Sequence, residues 1–257
     1  DEATNLSWYL SNIFYDAIGS IMDSLGEHLG DSGSANNHLL SVGFWPGGDR
    51  DGNPFVSVEV TLRVAEKLRS LIMTCYHRDV RELKRRLSFR GVYARLEKLE
   101  SKLYKEINKP GKTSLSLPSL NEQLSLIEDE VAESYQGLYL ESLRSFKNKV
   151  NAFGFHFANL DIRQDSRVIH RTFDTVRRLS PELLPVDFDA LSDAGQIAAM
   201  LALCPPEQPL AFDSELIQDP LELDTIESLR AIASIHAIHG EEGSHRHIIS
   251  NCRGSID

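Results

Sequence analysis

Residues 47–54 read Gly47-Gly48-Asp49-Arg50-Asp51-Gly52-Asn53-Pro54, an arginine between two aspartates inside a run of turn formers. Such a loop can offer carboxylates and a guanidinium to a ligand, while its glycines let backbone approach closely. Asp49, Asp51 and Asn53 alternate as in a calcium loop, but Pro54 stands at the sixth position and Val60 at the twelfth, where glycine and glutamate are needed. The Lys-Ser/Thr pair of a nucleotide-binding P-loop is missing too. The alternative to a binding role is a turn tied by Arg50 pairing with Asp49 or Asp51.

A second charged group closes an apolar segment at Leu160-Asp161-Ile162-Arg163-Gln164. At the C-terminal end of a parallel strand, Arg163 could meet an anionic substrate through its planar fork. A salt bridge to Asp161 or Asp165 is the plainer reading. His236 and His239 are three apart on an expected helix, with His245 and His247 beyond it. Imidazoles can ligate metal, yet the helical pair need not meet the later pair, and solvated or half-buried histidines suit the pattern as well. Trp45, beside the glycines, suits either core packing or the wall of a substrate pocket.

These groups need elements to hold them, and helical periodicity dominates. Leu6, Leu10, Ile13, Ala17, Ile21 and Leu25 form one stripe. Ser57 can cap a long helix bearing Val64, Leu68, Ile72 and Cys75 and continuing through Leu87. Further stripes run from Val92 to Ile107, from Leu120 to Val131 and from Tyr139 to Phe153, with Gly154 placed to end the last. Pro118-Ser119-Leu120-Asn121-Glu122 reads as a capping box, with loops expected near 108–118 and 204–222. Segments 39–45, 155–162 and 245–250 are short and apolar, and read as parallel strands joined by helical crossovers.

With 25% charged and 41% hydrophobic residues, the chain has the composition of a soluble globular protein. A net charge of −11 repels phosphate backbones, so a nucleic-acid partner is not expected. No apolar run nears the ~20 residues of a membrane span. Cys75, Cys204 and Cys252 are odd in number and far apart, which suggests reduced thiols in the cytoplasm. The chain opens without Met and stops abruptly, as a segment of something longer would.

Trp45-Pro46-Gly47-Gly48-Asp49-Arg50-Asp51-Gly52-Asn53-Pro54 closely resembles a signature of phosphoenolpyruvate carboxylases. Leu160-Asp161-Ile162-Arg163-Gln164-Asp165-Ser166 is similar to that family's Leu-Asp-Ile-Arg-Gln-Glu-Ser motif, and His247-Ile248-Ile249-Ser250 is a weaker match to Tyr-Ile-Ile-Ser. All three occur in the family's order, so the resemblance covers nearly the whole chain. It implies a cytoplasmic enzyme, homo-oligomeric, that joins phosphoenolpyruvate and bicarbonate to give oxaloacetate and phosphate with Mg2+ or Mn2+. That chemistry needs cations around a transferring phosphoryl group in a site that excludes water. By motif match, Arg163 would hold the phosphate region of the substrate and Trp45 would line the pocket near bicarbonate or CO2. Gly47, Gly48, Asp49, Arg50, Asp51, Gly52 and Asn53 would form the active-site loop.

The departures matter as much. Pro46 stands where Met is common, Asn159 where Arg is usual, and Asn251 where Met follows the serine. The family's His-Pro-Thr-Glu segment, its Gly-Tyr-Ser-Asp-Ser segment, its metal carboxylates and its glycine-arginine-rich loop do not occur. The resemblance therefore implies a single segment, 1–257, of a mostly α protein with a few short parallel strands, part of a (β/α)8-type barrel. Such a segment is expected to hold no metal and to be inactive alone. A non-catalytic helical binding or scaffold module derived from the family is the alternative.

Overall fold

The computed structural model describes residues 2–29, 40–108, 115–203 and 213–254. Helices predominate, a few short strands pair in parallel, and no closed barrel forms among the described residues.

The first helical stripe is present but out of phase with the sequence pattern. Helix α1 (Glu2–Tyr9) passes into a π-helical turn at Leu10–Phe14, where the Tyr15 N–H bonds back to the Leu10 carbonyl, and continues as α2 (Tyr15–Leu29). The wider turn inserts one residue into the repeat. Tyr15, Ile18 and Met22 are consequently buried, whereas Ile13 and Ile21 face solvent. Tyr15 stacks on Phe153 at 5.5 Å, and its hydroxyl donates to Asp79 Oδ2 at 2.9 Å.

Helices α3 (Val58–Arg86), α4 (Val92–Asn108), α5 (Leu117–Ser134) and α6 (Leu140–Phe153) bury the stripes expected of them. Leu96, Leu99, Leu103, Leu120, Leu124, Ile127 and Val150 are fully enclosed. Each such side chain contributes about 1.5–3 kcal/mol relative to exposure. Two ends differ from expectation. Helix α5 begins at Leu117 with Ser116 as its cap, accepting from the Ser119 N–H at 3.3 Å, so the cap precedes Pro118 instead of following it. Tyr139 is left-handed (φ 63°) and half-exposed, and lies outside the apolar stripe of α6. Gly154 ends α6 as expected. The core of the expected loop near 108–118, residues 109–114, falls outside the described residues, as do Leu39, Cys204 and the rest of 204–212.

One charged pair is sealed inside. Arg69 on α3 binds Glu106 on α4 (Nη2 to Oε1, 2.6 Å) and donates from Nη1 to the Ile238 carbonyl at 2.8 Å, with its guanidinium 4.9 Å over the Phe155 ring.

Strand β1 is only Gly43–Phe44 and pairs in parallel with β2 (Asn159–Leu160). Strand β3 (Ile162–Asp165) pairs in parallel with β4 (His247–Ser250). Because Asp161 alone separates β2 from β3, the two halves are one interrupted strand that bonds β1 on one side and β4 on the other. The strand expected over 155–162 thus starts later and runs further. Phe155 and Phe157 are buried from the turn after α6, where Phe157 adopts φ 65°. Helices α7 (Ser166–Leu179), α8 (Asp193–Leu203) and α9 (Pro220–His239) complete the order. Helix α9 packs on α7 and α3, whereas α8, though rich in apolar residues, buries none of them fully.

Candidate active site

Side chains at alternate positions of a strand share a face, and paired positions of neighbouring strands share it too. Ile162 and Gln164 turn toward the helices: Ile162 is fully buried, and Gln164 Nε2 donates to Thr225 Oγ1 on α9 at 3.1 Å. Asp161, Arg163 and Asp165 turn the other way, toward the less covered side.

The 47–54 loop lies against this strand as a continuation of β1. Arg163 N–H donates to the Gly48 carbonyl at 2.8 Å, and Arg50 N–H donates to the Arg163 carbonyl at 3.3 Å, so Asp49 bridges to Arg163 in parallel register. Glycine is required at 48 because a Cβ there would lie 2.0 Å from the Asp161 carbonyl oxygen. Gly47 turns at φ 88°, and a Cβ on it would meet the Val64 side chain at 2.6 Å. These residues bring the loop and the Leu160–Ser166 segment together. Pro46 is buried at the entry to the loop, and Gly52 and Asn53 are exposed at its tip.

Arg50 does not tie the turn to its own aspartates. Its side chain runs inward, 2% exposed, where Nε donates to Asp224 Oδ2 on α9 at 3.0 Å and Nη2 donates to Thr61 Oγ1 on α3 at 2.9 Å. Thr61 Oγ1 in turn donates to the Gly47 carbonyl at 2.6 Å, and Asp224 Oδ1 accepts from Val58 N–H at 3.0 Å. Ser57, the expected cap of α3, spends its hydroxyl on Glu59 instead, at 2.6 Å. Neither Thr61 nor Asp224 was singled out from sequence, since no motif marks them.

Asp49 and Asp51 share a hydrogen bond, which holds the Asp49 carboxyl above the usual carboxylate range and the Asp51 carboxyl below it. Burial and the Asp51 charge push Asp49 further up, while the nearby Arg163 charge draws both down. Asp49 Oδ1 also accepts from Gly52 N–H at 3.3 Å.

Arg163 is held only loosely by the neighbouring carboxylate. Its Nη2 is 3.9 Å from Asp161 Oδ2, beyond hydrogen-bond reach, and its Nε is shielded without a partner. Asp165 is not its mate: that carboxylate binds Arg167 (2.5 Å) and Asn251 Nδ2 (2.8 Å) and caps α7, and the Arg167 bonds hold it well below the ordinary carboxylate range. Asp161 meets a second guanidinium, Arg246 Nε, at 3.0 Å from Oδ1, though the angle makes no hydrogen bond. Trp45 is 44% exposed at the end of β1. Asn159 is buried, with its amide 3.4 Å from His245 Nδ1.

The four histidines do not assemble. His239 is buried beside Arg69 and His156, and burial drives its pKa down to about 4; His245 sits 3.5 Å from Glu242. Among the described residues, no three His, Cys, Asp or Glu side chains gather as a metal site would require. Nor is any helix among them long and apolar enough to cross a membrane.

What the arrangement offers is a half-buried guanidinium with an unpartnered Nε, a hydrogen-bonded carboxyl pair and an exposed indole at the ends of parallel strands. The family model described as phosphoenolpyruvate carboxylase matches residues 1–117 and 90–257. Among curated relatives, the phosphoenolpyruvate carboxylase of Rhodopseudomonas palustris (strain BisA53) is 28% identical over 303 residues, covering 100% of this chain and 32% of that protein. That of Bradyrhizobium diazoefficiens is 27% identical with the same coverage, and that of Prochlorococcus marinus subsp. pastoris is 25% identical over 320 residues. The chain therefore spans 32% of the length of these relatives.

Proposed function

The chain belongs to the phosphoenolpyruvate carboxylase family, and from that premise we propose that it supplies one wall of a carboxylase active site. The full polypeptide would join phosphoenolpyruvate and bicarbonate to give oxaloacetate and phosphate. The observation that carries this reading is the backbone seam at Gly48, Arg50 and Arg163, which sets the Asp-Arg-Asp loop beside an arginine whose Nε has no partner and whose contact with Asp161 is long. Strands β1–β4 would then belong to a (β/α)8-type barrel whose remaining strands come from the rest of the polypeptide.

In this reading Arg163 binds the phosphate end of phosphoenolpyruvate, where a planar fork matches the geometry of phosphate oxygens. Trp45 walls the bicarbonate side and sheds water from it. Arg50 touches no substrate; buried against Asp224 and Thr61, it anchors the loop. The Asp49–Asp51 pair lies close enough to Arg163 for the guanidinium to draw both carboxyls down. Mg2+ or Mn2+ belongs to the family's chemistry, but the described residues do not form a site for it. The segment alone would lack carboxylase activity. A cytoplasmic location and homo-oligomeric assembly form part of the same proposal.

The test is Arg163→Ala in the full-length polypeptide. Hydrogen bonds to a charged group contribute about 1.5–3 kcal/mol each, so losing one lowers kcat/KM for phosphoenolpyruvate roughly 10- to 150-fold. Unchanged kinetic constants would overturn the assignment, and bicarbonate-dependent oxaloacetate formation by residues 1–257 alone would overturn the claim of inactivity.

A further inference from the structure

We propose that Asp224 is a positioning residue for phosphoenolpyruvate binding, acting through Arg50 to set the height of the 47–54 loop against Arg163; the inference rests on the active-site reading above. Asp224 lies 174 residues along the chain from Arg50, on helix α9.

The geometry is a closed circuit around both ends of the loop. At the far end, Asp224 Oδ1 accepts from Val58 N–H, one of the N–H groups that a helix start leaves without an intrahelical partner. A carboxylate is favoured there by the positive end of the helix dipole as well. Its other oxygen, Oδ2, takes Arg50 Nε from the middle of the loop. Arg50 then reaches Thr61 Oγ1 with Nη2, and Thr61 donates to the Gly47 carbonyl at the near end. One carboxylate thus fixes where the loop leaves β1, where it turns, and where α3 begins.

The circuit meets the Arg163 backbone through two hydrogen bonds. Arg50 and Gly48 are the residues whose N–H and C=O bond the Arg163 backbone, one on each side of its peptide. Arg50 is 8% exposed as a residue, and its Nη1 is buried without a partner. Removing the Asp224 charge therefore leaves a guanidinium that must either stay unpaired in the interior or leave it. Leaving draws the Arg50 backbone off Arg163, and misplacing a binding group by about 1 Å can cost on the order of 100-fold in rate.

The experiment uses the full-length polypeptide with Asp224→Asn, Asp224→Ala, Arg50→Ala, the Arg50→Ala/Asp224→Ala double variant, and Arg163→Ala as reference. Asparagine keeps the volume and one acceptor oxygen, so that variant guards against simple failure to fold. The expected result is a KM for phosphoenolpyruvate raised roughly tenfold or more in Asp224→Ala and less in Asp224→Asn, with kcat moved far less. The double variant should be no worse than Arg50→Ala, because both changes break one circuit. Amide exchange should quicken at 47–58 and at Arg163 in the Asp224 variants. If Arg163→Ala raises KM while both Asp224 variants lower only the melting temperature, Asp224 is merely structural and the inference fails alone. Additive losses in the double variant would also refute it. If Arg163→Ala leaves KM unchanged, the active-site reading falls and the inference falls with it.

Discussion

Replacing Gly48 by alanine isolates the seam between the loop and β3. The φ at Gly48 is outside the left-handed region, so alanine meets no backbone penalty there, unlike at Gly47 with φ 88°. The whole effect must come from contact: the new Cβ would lie 2.0 Å from the Asp161 carbonyl oxygen. Reaching an ordinary carbon–oxygen separation of ~3.3 Å requires the loop to withdraw by roughly 1 Å. The Arg163 N–H to Gly48 O bond (2.8 Å) and the Arg50 N–H to Arg163 O bond (3.3 Å) both lie on that path and would break. At about 0.5–1.5 kcal/mol each, the seam loses roughly 1–3 kcal/mol, which is a factor of about 5 to 150 in its local opening equilibrium. Hydrogen exchange followed by mass spectrometry reads this directly as lost protection at the Arg163 amide. Helices α4 and α5, remote from the seam, should keep their protection. An Arg163 amide that exchanges at the parental rate in Gly48→Ala would refute the reasoning, because it would mean the seam can move without opening.

Other perturbations reach the scaffold. Glu106→Ala strands the Arg69 guanidinium in the interior and should cost about 3–5 kcal/mol of unfolding free energy in urea titrations. Ser116→Ala removes the cap of α5 and should cost about 1 kcal/mol by the same measurement. His156 and His239 are held neutral by burial, each with its pKa lowered to about 4. Their folded pKa lies below the unfolded value near 6.5, so the unfolded chain binds more protons between those limits and stability falls as pH drops from about 6.5 toward 4. Each ring should remove roughly 2 kcal/mol between pH 7.5 and pH 5, and His156→Gln should flatten the measured slope.

The stripes of α3 to α6 were readable because each depends on residues three and four apart, and Leu96, Leu99 and Leu103 face the core as that spacing implies. Strand limits were harder to read. Phe155 and Phe157 look like strand residues by composition, but a turn buries them equally well, and composition carries no register. The loop and Arg163 could be paired from their motifs, whereas Arg50's partners could not. Asp224 and Thr61 are ordinary helix residues whose importance arises only when distant segments meet. Ser57 suggested a cap by residue type, yet the helix start is served by a carboxylate from α9.

The π-helical turn at Leu10–Phe14 has a consequence for any residue-by-residue comparison of this chain with its relatives. A wide turn lets a helix carry one additional residue while both flanking faces stay docked, since the surplus is absorbed as girth instead of rotation. Equivalent positions before Leu10 and after Tyr15 should therefore be numbered one apart in a relative whose helix is regular throughout. An alignment that forbids a gap inside a helix will match Ile13, which faces solvent, to a core residue. Excising Asn12, which is exposed, should close the turn to ordinary α geometry and leave the Tyr15–Asp79 bond in place, as circular dichroism and a structure of the deletion would record.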